Sequence, residues 1–144
     1  MILFVTYEYG SAEFLFPLLR RWQKRPSPKW TLIADGPSKL FWQRKGFIPK
    51  TPDRSVKNWF FRQWVLLKPD AVVSSASING DLEKAAVLLA RKHSLPSIQF
   101  LDMWISYRQR FLMGKDQIWP DRFLAIDERC REEMAAEGLP PDQV

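Results

Sequence analysis

The sequence predicts a doubly wound α/β domain on a mainly parallel sheet of about six strands. Short, continuously apolar, β-branched runs alternate with amphipathic stretches from end to end, as strands buried on both faces do. The longer amphipathic stretches repeat their apolar residues at i, i+3, i+4 and i+7, the period of one helical face. No linker, internal repeat or low-complexity tract divides the 144 residues, enough for one domain with a full core.

Ile2–Thr6 is the first strand, broken by Gly10 and Ser11. Leu15, Leu18, Leu19 and Trp22 mark a helix whose basic end suits the negative pole of its dipole, with Pro17 as a possible bend and Pro26 and Pro28 as stops. Trp30–Ala34 is the second strand, Ser38–Arg44 a short helix ended by Gly46, and Phe47–Ile48 a brief third strand. Ser55–Lys68 is helical with Val56, Trp59, Phe60, Trp64 and Leu67 on one side. Phe61 and Val65 widen that stripe, which implies either cover on two sides or an apolar patch. Ala71–Ser75 is the fourth strand, and Asp81–His93 a helix that Asn79 or Asp81 can cap. Ser97–Leu101 and Phe123–Ile126 are the fifth and sixth strands, and Asp127 caps a last helix ending at Gly138. Right-handed crossovers make the Rossmann-like arrangement the default for this order.

Composition narrows the function classes. A single cysteine excludes an internal disulfide, and Cys130, on one helical side with Met134, reads as a small buried hydrophobe. The N-terminus lacks a basic leader and no apolar run approaches the roughly 18 residues of a membrane span, so the expected location is cytoplasmic. The net charge of +6 is concentrated in the first half, with Arg20, Arg21, Lys24, Arg25 and Lys29 in one segment. That face suits phosphorylated groups or peripheral contact with anionic lipid. Nucleic acid is a minor option, because no nucleic-acid motif accompanies the charge.

In an open parallel sheet, ligands bind beyond the carboxyl ends of the strands, where strand order reverses. Three loops point there. TYEYGSAEF offers Gly10 and Ser11 at a helix start but is neither GxGxxG nor a P-loop. SSASING offers the hydroxyls of Ser75 and Ser77, the amide of Asn79 and, at Gly80, room for close approach; the same residues are ordinary turn and cap vocabulary. LDMWISYRQRF offers Asp102 as a general base, Trp104 and Tyr107 for stacking, and Arg108 and Arg110 to grip carboxylate or phosphate. His93, the only histidine, falls at a helix end away from these loops, so no Ser-His-Asp set and no histidine-based metal site can form. No metal or cofactor is implied.

The segments PDAVVSSASINGDLEKAAVLLARKHSLPSIQFLDMW, YRQRF and PDRFLAIDERCREEMAAEGLPPDQV resemble the N-terminal domain of B-type (GT-B) glycosyltransferases and of the related UDP-N-acetylglucosamine 2-epimerases. The resemblance is clear over residues 69–144. It implies a domain that holds the sugar or phosphorylated acceptor, with Gly10, the Ser75–Asn79 loop and Asp102 along an interdomain cleft. The nucleotide-sugar donor would belong to a second domain or subunit, absent beyond LeuProProAspGlnVal, so this half is incomplete on its own. The resemblance implies a histidine commonly following the equivalent of Asp102; here that position is Met103, which departs from the pattern. If Asp102 is catalytic, Asp102→Asn lowers turnover with stability nearly unchanged. The alternative is a stand-alone, non-catalytic ligand- or protein-binding module.

Overall fold

The computed structural model describes residues 1–53 and 55–144, the side chains of Lys57 and Pro141 excepted. Five parallel strands form the main sheet in the order β2-β1-β3-β4-β7: β1 Ile2–Thr6, β2 Trp30–Ala34, β3 Ala71–Ser75, β4 Ser97–Phe100 and β7 Arg122–Leu124. Winding reverses between β1 and β3, which places the switch point beside the first two of the three expected loops. Helices α1 (Tyr9–Trp22) and α2 (Gly36–Arg44) cover one face, where Phe4, Leu15, Leu19, Phe41, Trp42 and Phe100 join in one core cluster. On the other face α3 (Val56–Leu67) and α4 (Leu82–Lys92) bury Trp59, Phe60, Trp64, Leu82 and Ala86 against Val5 and Val72. A third cluster joins Tyr107, Phe111 and Phe123 to Cys130 and Met134 of α5 (Glu128–Ala136). Cys130 is buried as expected, and Asp127 caps α5 by accepting from the Cys130 N–H at 2.8 Å.

The doubly wound α/β class is as expected, with one strand fewer in the sheet. Phe47–Ile48 is not a strand: Phe47 turns inward against Trp42, Ile48 is 98% exposed, and Pro49 has no N–H to donate. One parallel bridge, Ile33 to Lys50, is all that segment adds to the edge. The sequence also gave no warning of the 3-10 turn Arg108–Phe111 or the antiparallel pair β5 (Leu112–Met113) and β6 (Asp116–Gln117). These elements are too short to show a period.

Helix α1 runs through Pro17, which is exposed, so the carbonyl it leaves free one turn earlier lies on the solvent side. On α3 the widened stripe is an uncovered apolar patch: Phe61 and Val65 are more than half exposed, and Leu66 is 74% exposed. His93 is exposed at the end of α4, stacked on Trp64 at 5.6 Å. No described helix is long and apolar enough to cross a membrane.

Candidate functional site

The carboxyl ends of β1, β3 and β4 open into a cleft of about 300 Å³ lined by Glu8, Gly10, Asn79, Asp102 and Arg110 among others. A second hollow of about 310 Å³ adjoins it at Gly10 and Asp102 and extends to Phe14 and Ile126. Asp102 is the carboxylate at their junction. Its Oδ2 accepts from Ser11 Oγ at 3.0 Å and its Oδ1 from Arg110 Nη1 at 3.3 Å. Gly10 permits this arrangement: a Cβ there would stand 3.0 Å from Asp102 Oδ2, tighter than nearly all ordinary contacts. The missing side chain brings the carboxylate down onto the first turn of α1, whose dipole favours a negative charge.

Arg110 holds the cleft together from behind. Its side chain is 4% exposed, and Nη1 also donates to the Ala76 carbonyl at 2.6 Å while Nε donates to the Ile105 carbonyl at 3.0 Å. One guanidinium thereby ties the loop after β3 to the loop after β4 and to Asp102. Trp104, 45% exposed, lies between the lining residues Met103 and Ile105 in sequence and donates its indole N–H to both oxygens of Asp127 at 3.0 and 3.1 Å. Asn79 is exposed and donates to Glu8 Oε1 at 3.2 Å across the cleft mouth. The structure thus brings together Gly10, Ser11, Asn79, Asp102 and Arg110, whereas Trp104 turns to Asp127 and does not line the cleft.

Other expected ligand contacts lie elsewhere. Ser75 and Ser77 are fully buried and donate to Glu83 Oε1 and Oε2, both at 2.7 Å. Their hydroxyls are engaged beneath the cleft rather than presented to it. Tyr107 is buried in the third core cluster, with its hydroxyl on Glu133 Oε2 at 2.6 Å. Burial, with that carboxylate as neighbour, pushes its phenol pKa upward. Arg108 is exposed and does not line the cleft; its backbone N–H donates to Glu137. Neither Asn79 nor Asp81 caps α4 through its side chain. Gly80 serves packing, not close approach of a ligand: a Cβ would meet the Tyr7 ring at 2.7 Å, and one on Gly36 would meet the same ring at 2.8 Å.

Both glycines thus leave room for the Tyr7 ring, and a Cβ at either would overlap it. Gly80→Ala is therefore expected to destabilise the fold by about 1–3 kcal/mol, the usual range for overpacking. Gly36→Ala adds the strain of a φ of +55°. Urea unfolding reads both, and an unchanged midpoint for Gly80→Ala would refute the packing account.

Sequence reasoning missed Glu83 and Lys84. Glu83 is buried in the first turn of α4, accepting from Ser75, Ser77 and the Tyr7 N–H at 2.9 Å. Burial raises its pKa to about 7, with the serine hydroxyls opposing the shift. Lys84, also buried, donates to the carbonyls of Ile78 and Gly80. The SSASING loop is thus held from the helix that follows it. The available signal was that Val87 and Ala90 carry the apolar character of α4 beyond one stripe, so charges in its first turn need not be solvated. Among the described residues no His, Cys, Asp and Glu side chains group as a metal set.

Solved structures share this fold. The chain superposes on a Staphylococcus aureus MnaA–UDP structure with a TM-score of 0.73 at 12% identity, over 99% of this chain and 43% of that one. The fold matches over its full length. A protein assigned as a UDP-N-acetylglucosamine 2-epimerase from Listeria monocytogenes gives a TM-score of 0.68 at 13% identity, over 99% and 42% of the two chains. The chain therefore spans less than half the length of either. The fold is the one implied by the resemblance over residues 69–144, and it extends to the first half of the chain as well. No family model and no curated protein matches the sequence.

Proposed function

We propose that this chain is the acceptor-binding domain of a sugar-transferring protein, with the sugar held in the cleft between Gly10, Asn79 and Asp102. The observation that carries the reading is the Asp102 carboxylate, 11% exposed, reaching from the loop after β4 onto the start of α1 and backed by a buried arginine. A carboxylate so placed can accept a hydrogen bond from a sugar hydroxyl and take its proton as that oxygen bonds to the anomeric carbon of the donor sugar and the nucleoside diphosphate leaves with the bonding electrons. Trp104, exposed between the lining residues Met103 and Ile105, is the nearest exposed aromatic in this loop for the apolar face of a sugar ring. The shared fold with a UDP-bound structure supports the substrate class.

A second α/β domain, on the same polypeptide or another, would bring the nucleotide-sugar donor. The rim supports this: Tyr9, Phe14, Met103 and Ile105 are each about half exposed around a polar centre, more apolar surface than a finished cleft mouth needs.

Titration of the isotopically labelled chain with N-acetylglucosamine, to tens of millimolar, is expected to shift the amides of Gly10, Asn79 and Asp102 and the Trp104 indole. Asp102→Asn should remove those shifts, and UDP alone should not produce them. Shifts from UDP at these loops, or from the sugar only elsewhere, would sink the acceptor assignment. One observation favours a protein-binding module instead: the groove of about 680 Å³ between α3 and α4, lined by Phe61, Leu88 and Met113.

A further inference from the structure

We propose that a hollow on the outer face of α1, remote from the cleft, binds a phosphate-rich anion. Pro17, Arg20 and Arg21 lie at i, i+3 and i+4 on one side of α1, and Lys24 follows in the turn after its end. With Phe16 they line a hollow of about 480 Å³. Lys45, at the end of α2, brings its Nζ to 5.1 Å from the Phe16 ring centre, and the Arg20 guanidinium lies 5.8 Å from it. Three cations thus line the hollow, and a fourth, Lys45, approaches the Phe16 ring that forms part of its wall. Among the described residues none of the four is in an ion pair.

The charge is local. Residues 20–50 hold nine Lys and Arg against the single Asp35, a net of +8, which exceeds the +6 of the whole chain. Two helix C-termini meet near the hollow, and each attracts cations as about half a negative charge. Together they offset roughly one positive charge of the four, so about three remain uncompensated. Like charges one helical turn apart repel by a few tenths of a kcal/mol per pair.

A multivalent anion removes that repulsion. Guanidinium groups fit phosphoryl oxygens bidentately, and lysines add mobile point charges. The Phe16 and Pro17 floor gives a place to whatever ring or chain bears the phosphate. At 1.5 Å per residue, Arg21 lies roughly 16 Å along α1 from Gly10, so this site is separate from the cleft and does not rest on the acceptor reading. The same chemistry is offered by a free oligophosphate and by an anionic lipid headgroup.

The test uses two probes at about 0.15 M salt, where diffuse attraction is screened. Pyrophosphate is titrated by amide and arginine side-chain resonances. Vesicles of phosphatidylcholine, with and without phosphatidylglycerol, are assayed by co-sedimentation. Saturable shifts at Arg20, Arg21 and Lys24 identify the free-phosphate source; sedimentation only with phosphatidylglycerol identifies the headgroup; either supports the site. The variant Arg20→Gln, Arg21→Gln, Lys24→Gln alters exposed side chains only and should weaken binding roughly tenfold or more, the effect of losing one or two charge-assisted hydrogen bonds. Arg91→Gln with Lys92→Gln, beside the α3–α4 groove, should leave it unchanged. Absence of binding to both probes, or equal losses in the two variants, would overturn the proposal.

Discussion

Replacing Arg110 by alanine is expected to destabilise the protein by about 3–5 kcal/mol, the range for removing one partner of a buried ion pair. The guanidinium supplies donors to the Ala76 and Ile105 carbonyls and to Asp102, and its loss leaves two loop ends without their cross-link. Asp102→Ala strands the opposite charge, a guanidinium only 4% exposed, and belongs in the same range. Asp102→Asn keeps an oxygen for Ser11 and should lose less. The expectation that Asp102→Asn leaves stability nearly unchanged needs revision, because the carboxylate has a structural partner that the sequence does not disclose. Urea midpoints of the three variants decide this. A wild-type midpoint for Arg110→Ala would mean that the loops after β3 and β4 are held by other means.

The second large effect depends on pH. Glu83 is buried, and its folded-state pKa of about 7 lies above the ordinary 4.5. Between those values the folded chain holds a proton that the unfolded chain has released. Stability from this group is therefore fully present below about 4.5, falls as the pH rises toward 7, and levels off above it. The difference corresponds to about 3 kcal/mol. Glu83→Gln imitates the protonated acid and should remove this dependence, so the variant gains on the wild type across the interval. Asp127 and Glu133 act in the opposite sense. The Cys130 N–H holds the first, and the Tyr107 hydroxyl with Arg129 the second, below the usual carboxylate pKa, so their contribution fades only at lower pH. Subtracting the Glu83→Gln profile from the wild-type profile cancels them. Parallel profiles from pH 4 to 8 would show that Glu83 keeps an ordinary pKa.

Both effects concern residues whose importance lies in what they touch. The sequence by itself determined the strands β1, β2 and β3 to the residue, because continuous apolar runs bounded by turn residues leave a buried strand few alternatives. It determined the α/β alternation and hence the parallel sheet, and it singled out the loops after β1, β3 and β4, which the structure brings together around one cleft. It also identified Asp127 as a cap, an interaction spanning only three residues.

Tertiary structure decided which loop residues face the cleft. Ser75 and Asn79 are equally polar in sequence, yet one is buried against Glu83 and the other spans the mouth to Glu8. Gly10 and Gly80 look equally suited to ligand approach, yet one makes room for Asp102 and the other for Tyr7. The physical reason is common to these cases. Local patterns report backbone conformation and the burial of apolar side chains, whereas a polar group's role is set by the partner that meets it. For Ser11 and Asp102 that partner is 91 positions away, and only the closed sheet brings the two together.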